Sequence, residues 1–470
     1  MKKFDIPLIA AAIILSGLIP AAATNHDVSS ARPNVVLIIG DDVGYGDLSC
    51  YGYDNLVPTP NLDRLAAEGV RFTDAYVTSP VCGPTRYALL SGAYSQRFGV
   101  QWNTDCWSKL PGLEETLDNH RVPPTQKLLH ETLTDAGYAT GLVGHWGLPC
   151  YPQTTHDETK SIVHYMAHYW PDETGHYLGV NEPIAISPRK RVIWGPEREG
   201  DEYFTDRLGR QSVEFIEKHA GEPFYLNLAF TAPHSPMQAK KVHQDAVKHL
   251  PSEALRLYGA MLISMDENVG KVLDALDKNG LAENTIVIFF SDNGPSPAFN
   301  EDWPEEWSRD VVLGTAGPLR DTKGTFYEGG IKIPYIIRWP AGLEKGQVYE
   351  KTISSLDIYP TVCNAANASV SETTRLDGVD LMPYLTGKKT DTPNKTLFWW
   401  GGSKGGAVKD GKWKLWIGPG GGGERKLFNL EEDLGETTDL CKIHPEIVAS
   451  LEVKFSDFCA QMPPPLNPKK

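Results

Sequence analysis

The sequence is poor in positive charge: 45 Lys and Arg stand against 60 Asp and Glu, a formal net charge of −15. A surface of that sign repels phosphate backbones, which excludes nucleic acid as a partner. Any anionic substrate must instead be drawn into a local positive pocket. Long apolar runs are lacking as well. The stretch Ile6–Pro20 falls short of the ~20 residues that a membrane helix needs, and it ends in proline. Lys2 and Lys3 precede it and Ala21-Ala22-Ala23 follow, the order of a secretory signal peptide over residues 1–23. No cysteine lies near that cleavage site, which argues against a lipid anchor. The expectation is an exported protein, periplasmic or secreted, with no membrane anchor. Cysteine is scarce too, with seven in 470 residues, at 50, 82, 106, 150, 363, 441 and 459. Setting Cys82 aside leaves an even number, as disulfides in an oxidising compartment require. Cys441 and Cys459 flank one predicted helix and are the first pair to test, with free thiols as the alternative reading.

What is present is an alternation of strands and helices. Asn34–Ile39 is a continuous β-branched, apolar run, the signature of a strand buried on both faces of a parallel sheet. It ends in Gly40-Asp41-Asp42, where adjacent carboxylates repel unless a cation lies between them. A hard divalent cation answers that need; a solvated turn is the plainer alternative. Helices are predicted from Pro60 to a stop at Gly69 and over 125–136, 205–219 and 253–278. Strands are predicted over 138–143, 224–230, 285–290 and 333–339. Just past three of these strands stand His145, His234 and the pair Asp292-Asn293. Ligands of open α/β sheets bind at such carboxyl ends. The fold class read here is α/β, a large mostly parallel mixed sheet sandwiched by helices, spanning residues 24–384. Beyond about 385 come short aromatic strands (397–400, 412–416, 427–430), Gly-rich turns and a helix over 445–461, a smaller antiparallel subdomain over 385–470. Residues 150–200 lack periodicity and carry His, Tyr, Trp and the cluster Arg189-Lys190-Arg191, suited to a sugar subsite or to a plain surface loop.

The chain is organised around Pro80-Val81-Cys82-Gly83-Pro84-Thr85-Arg86-Tyr87-Ala88-Leu89-Leu90-Ser91-Gly92. It reads as a loop feeding a short helix, with Pro84 at the first helical position and Gly92 as the stop. Cys82 then precedes a helix N-terminus, which favours negative charge, and Arg86 follows one turn later. Cys-x-Pro-x-Arg followed by x-x-Leu-x-Ser-Gly resembles the maturation signature of the type I sulfatases, of alkaline-phosphatase-like fold. The resemblance runs from about Arg32 to Met462. It takes in Pro233-His234-x-Pro236, Lys323-Gly324-x-x-x-Glu328-Gly329-Gly330, and the tail segments Leu376-Asp377-Gly378, Lys412-Trp413-Lys414-Leu415 and Leu427-Phe428-Asn429-Leu430.

The resemblance implies that Cys82 is oxidised to formylglycine by a formylglycine-generating enzyme. It implies that Asp41, Asp42, Asp292 and Asn293, with the modified Cys82, hold calcium rather than magnesium. Arg86 braces the formylglycine, and His234 and Lys323 contact sulfate. The implied reaction is in-line attack of the aldehyde hydrate on sulfur, protonation of the leaving oxygen by His234 or Lys323, and re-formation of the aldehyde with loss of sulfate. One motif departs from the family: Gly-Lys-Trp-His-Leu-Gly is here Gly144-His145-Trp146-Gly147-Leu148-Pro149. The family's Lys is His145 and its His is Gly147, so His145 is the candidate base. The substrate expected is a sulfated carbohydrate. The rival readings are a phosphate or phosphonate ester hydrolase of the same superfamily and a degenerate, non-catalytic binder of sulfated glycan.

Overall fold

The computed structural model describes residues 32–103, 123, 125–145, 202–297, 311–420 and 423–466, and the backbone of short strands at 163–167, 185–186 and 192–194. The signal peptide, Cys106, Cys150 and most of 150–200 lie outside the described residues. Eight strands make the main sheet: β1 (Asn34–Gly40), β2 (Val70–Phe72), β3 (Ala139–His145), β4 (Val163–Ala167), β5 (Phe224–Ala229), β6 (Thr285–Ser291), β7 (Tyr335–Arg338) and β8 (Gln347–Tyr349). Their spatial order is β8-β2-β7-β6-β1-β5-β3-β4. β6, β1, β5, β3 and β4 run parallel, while β7 is antiparallel to both neighbours.

The apolar run of β1 is explained by what covers it. Val36 and Ile38 join a core with Leu62 and Leu65 of α1 (Pro60–Ala67). Leu208, Phe215 and Ile216 of α4 (Phe204–Lys218) and Met261, Met265 and Val269 of α5 (Glu253–Lys278) complete that layer. Val35, Leu37 and Ile39 face the other layer, with Leu89 and Leu90 of α2 (Cys82–Ser91), Leu129 and Leu133 of α3 (Leu129–Asp135), and Ile358 and Val362 of α6 (Ile358–Ala365). Both faces are dry, so no polar alternation is left in the strand. The class predicted from the sequence is the one observed.

Local signals worked where the chain itself supplies the cap. Ser252 Oγ accepts the Leu255 N–H at 3.2 Å at the start of α5, and Gly280 at φ 68 follows its end. The helix predicted from residue 125 begins only at Leu129. Gln126 is engaged elsewhere, its amide donating to the carbonyls of Ser91 and Arg375, and Glu131 accepts the Leu128 N–H at 2.7 Å. The C-terminal sheet is antiparallel, in the order β9 (Thr396–Trp400), β10 (Gly406–Asp410), β11 (Trp413–Ile417), β12 (Arg425–Asn429). β10 was not predicted, because Gly-Ala-Val-Lys-Asp has no aromatic signature. Helix α7 (Pro445–Ala460) covers one face through Leu451, and Trp399 Nε1 donates to the Val77 carbonyl at 2.6 Å from the other. No helix among the described residues is long and apolar enough to cross a membrane.

The suggested Cys441–Cys459 bridge is corrected: both thiols are free. Cys459 lies in the last turn of α7 and Cys441 precedes its first, so the helix from Pro445 onward runs roughly 20 Å between them at 1.5 Å per residue, against the ~7 Å that a disulfide can span. Peptide mapping without reductant is therefore expected to find both cysteines alkylated by iodoacetamide and no linked peptide.

Candidate active site

The carboxyl ends of β6, β1, β5 and β3 lie side by side, and each delivers polar residues into one buried place. β1 delivers Asp41 and Asp42, both nearly inaccessible. Asp42 adopts a left-handed backbone at φ 70, which Asp and Asn tolerate better than most residues. Its N–H donates to Asp292 Oδ1 at 3.3 Å, and its carbonyl accepts the Tyr258 hydroxyl at 3.1 Å. Tyr258 also donates to Asp47 Oδ2 at 2.5 Å, while Asp47 accepts the N–H groups of Gly44 and Thr315. Asp47 and Tyr258, which sequence reasoning missed, thus hold the turn after β1; burial pushes the Asp47 carboxyl up to about 7.

Arg86 links the strands. Helix α2 begins at Cys82 itself, two residues earlier than Pro84 suggested, and Val81 is its extended N-cap. Cys82 and Arg86 are therefore four apart on one helical face. Arg86 is 1% exposed. Its Nε donates to Asp292 Oδ2 at 2.8 Å, its Nη1 to the His145 carbonyl at 2.9 Å and its Nη2 to Asp41 Oδ2 at 3.1 Å. The His145 ring is tied to the same Asp41 oxygen, Nδ1 lying 3.1 Å away. Burial first, and Arg86 second, bring the His145 pKa down to about 4, so the ring is neutral at neutral pH. Burial would raise the Asp41 carboxyl, but His234, Arg86 and His145 hold it well below the usual range. Burial and the Asp41 charge push Asp292 up to about 7.

On the far side of Asp42 stand the other predicted residues. Its Oδ1 accepts Lys323 Nζ at 2.5 Å and Asn293 Nδ2 at 2.7 Å, and His234 Nε2 lies 3.7 Å from its Oδ2. Burial opposes the Lys323 charge, yet Asp42 holds its pKa above the ordinary value. Cys82 is buried, and that burial pushes its thiol up to about 12 even with Lys323 and Arg86 acting on it. Asn103, also missed, is its polar neighbour: Nδ2 lies 3.5 Å from Cys82 Sγ, and Oδ1 accepts the Gly83 N–H at 3.0 Å. No motif marks this asparagine in the sequence. All the predicted residues meet in one buried cluster except Gly147, which with Trp146, Leu148 and Pro149 lies outside the described residues.

The donor set fits a hard cation. Asp41, Asp42 and Asp292 outnumber the two firmly cationic side chains among them, Arg86 and Lys323. Asp41 Oδ1 and Asn293 Oδ1 are buried without a hydrogen-bond partner, a costly state unless something else binds them. Ligand atoms of Asp41, Asp42 and His234 lie within 4.8 Å of one another. Oxygen donors dominate, as a calcium ion prefers.

Arg86→Met would leave two buried carboxylates facing each other. It is expected to cost about 3–5 kcal/mol, read as a lower urea midpoint of unfolding.

The family model described as Sulfatase matches residues 33–368. The N-acetylgalactosamine-6-O-sulfatase of Bacteroides thetaiotaomicron is 27% identical over 527 aligned residues, covering 95% of this chain and 97% of that one. Arylsulfatase A of Bos taurus is 31% identical over 497, covering 92% and 90%. Among solved structures, Ps i-CgsB in complex with k-i-k-neocarrahexaose is similar at a TM-score of 0.73 and 28% identity, covering 93% of this chain and 94% of that one.

Proposed function

The chain belongs to the sulfatase family, and we propose that it hydrolyses sulfate esters of a sulfated carbohydrate, polysaccharide or oligosaccharide. The observation that carries this reading is the joining of Cys82, Arg86 and the Asp41–Asp42–Asp292–Asn293 oxygens in one buried cluster. The carbohydrate class is supported by a relative named for N-acetylgalactosamine 6-sulfate and a structural neighbour holding an oligosaccharide. We further propose that residues 24–384 form the catalytic part and 385–470 the smaller one. Residues 1–23 would direct export, and a formylglycine-generating enzyme would act on Cys82.

The Cys82 sulfur marks where the reacting oxygens would stand after that oxidation. Formylglycine would supply a hydrated aldehyde, one hydroxyl of which attacks sulfur while the other permits sulfate to leave as the aldehyde re-forms. Asp41, Asp42, Asp292 and Asn293 would hold calcium, which supplies Lewis-acid charge for the nucleophile and a sulfate oxygen. The remaining work falls to the chain's own groups. The N-terminus of α2 and the Arg86 charge favour negative charge at position 82. Asn103 orients the group attached there. Lys323 anchors a sulfate oxygen; Asp42 keeps it charged, which makes it a reluctant acid. Burial and Lys323 lower the His234 pKa, so of the two His234 gives up a proton more readily, and the protonation of the leaving sugar oxygen is assigned to it. His145, neutral and aligned by Asp41, is in the protonation state that a base requires, and takes the hydroxyl proton when sulfate departs.

Free-sulfate release from a panel of sulfated glycans tests the reading, with the protein co-expressed with a formylglycine-generating enzyme and Cys82 conversion checked by peptide mass. One glycan class is expected to yield sulfate over many turnovers, Cys82→Ala none, and Cys82→Ser at most one equivalent. A converted protein that binds glycan yet releases nothing would be the non-catalytic binder, and preference for a phosphate ester would move it to the phosphoesterase reading. Calcium at about 100 times its Kd is expected to stabilise the fold by about 2.7 kcal/mol, seen as a higher thermal midpoint. A chelator should reverse the rise, and Asn293→Ala should abolish it.

A further inference from the structure

Away from the reacting groups, the described residues hold a second buried set of charges. Lys414, on β11 of the small sheet, has a fully buried side chain between two carboxylates that are buried as completely: Glu328 at 2.8 Å and Glu436 at 2.9 Å. A lysine so placed is rare unless paired. The plainer reading is an ion pair that fastens the small sheet to the large one. The connections around it argue for more.

Glu436 sits in a turn at φ 52. Its Oε2 accepts the Glu328 backbone N–H at 2.6 Å, and its own carbonyl accepts Arg320 Nη1 at 2.6 Å. One residue therefore grips both ends of the segment 320–328. Arg320 is further fixed over the Tyr327 ring at 4.1 Å, and the other Glu328 oxygen receives the Tyr76 hydroxyl at 2.7 Å. Between the two gripped ends lies Lys323. Its N–H donates to the Pro295 carbonyl and that of Gly324 to the Pro80 carbonyl, both at 2.9 Å. These carbonyls stand two residues after Asn293 and two before Cys82. Close behind, a Cβ on Gly294 would sit 1.7 Å from the Gly329 carbonyl oxygen, so the two strands of chain touch with no room for a side chain. The segment has its ends held by Glu436, in the turn beyond the small sheet, and its middle among the proposed reacting groups.

We infer that Glu436 is a positioning residue for Lys323: its carboxylate, which faces Lys414, and its carbonyl hold the two ends of segment 320–328 by hydrogen bonds, and the segment fixes where the ammonium group meets sulfate. What the ammonium does rests on the sulfate-ester reading; where it is held does not.

Two measurements separate these points. The first needs no turnover. Lysines are acetylated with N-hydroxysuccinimide acetate and the peptide containing Lys323 is followed by mass spectrometry. In the wild type Lys323, 13% exposed and paired with Asp42, is expected to react slowly. Glu436→Ala leaves Lys414 and Glu328 as a balanced pair, and is expected to raise the Lys323 rate at least fivefold while exposed Lys345 is unchanged. Glu436→Gln, which keeps an acceptor for the Glu328 N–H, should stay within twofold of wild type. Arg320→Met frees the other end, should give the same rise, and covers the case in which Glu436→Ala does not fold. The second measurement is sulfate release. Glu436→Ala is expected to lower kcat/KM about tenfold, but by no more than about twofold in a Lys323→Ala background, because its effect passes through that lysine. Unchanged Lys323 acetylation in both folded variants, or an equal loss in both backgrounds, would overturn the inference. If the wild type releases no sulfate from any glycan, the sulfate-ester reading fails and the acetylation rates alone decide the positioning.

Discussion

The Arg86 guanidinium lies wholly inside the protein, and it stays there because two carboxylates and a carbonyl receive its N–H groups. Those acceptors come from the ends of β1, β6 and β3, so one side chain gathers three strands of the sheet at the candidate active site. The same side chain fixes the helix that carries it. α2 cannot slide or rotate without breaking a buried ion pair, and Cys82, one turn earlier on that face, inherits the constraint. A fork of donors on a planar group suits this better than the single ammonium of a lysine would.

The charge of the molecule is arranged against its average. A chain of net charge −15 presents no attractive field to a sulfate ester at long range. Its cations at the site are therefore inside, where screening is weak: Arg86 and Lys323, each held by carboxylates, with His145 and His234 beside them. The three carboxylates exceed those two cations, and two buried oxygens, on Asp41 and Asn293, await a partner. A divalent ion bound there, as proposed, would resolve both imbalances together. The small sheet repeats the theme at a distance, with Lys414 between Glu328 and Glu436.

Much of this was legible from residues close in sequence. An unbroken apolar run gave β1 because both of its faces are covered. Ser252 and Gly280 marked the ends of α5 because a cap and a left-handed stop are local chemistry. The strand ends announced Asp41, His145, His234 and Asp292 because carboxyl ends of parallel strands converge. What escaped depends on partners far along the chain. Asn103 matters only because folding brings it to Cys82, Tyr258 only because α5 passes under Asp47, and Glu436 only because its turn meets segment 320–328. The late start of α3 has the same origin, since Gln126 is drawn off by Arg375, which is 249 residues away.

The backbone of Asp42 sets a further condition on that position. At φ 70 the backbone favours Gly, and after it Asn and Asp, whose short polar side chains bond locally. The Lys323 ammonium, 2.5 Å from its Oδ1, and the surrounding polar groups ask for a charged oxygen, which admits Asp and Glu. Aspartate meets both conditions best. Glutamate, the nearest substitute by chemistry, is tolerated at such a φ at position 436, but its extra methylene would carry the carboxylate off Lys323 and Asn293, and asparagine, the nearest by conformation, lacks the charge. Position 42 is thus a point at which sequence drift has no neutral neighbour to step onto.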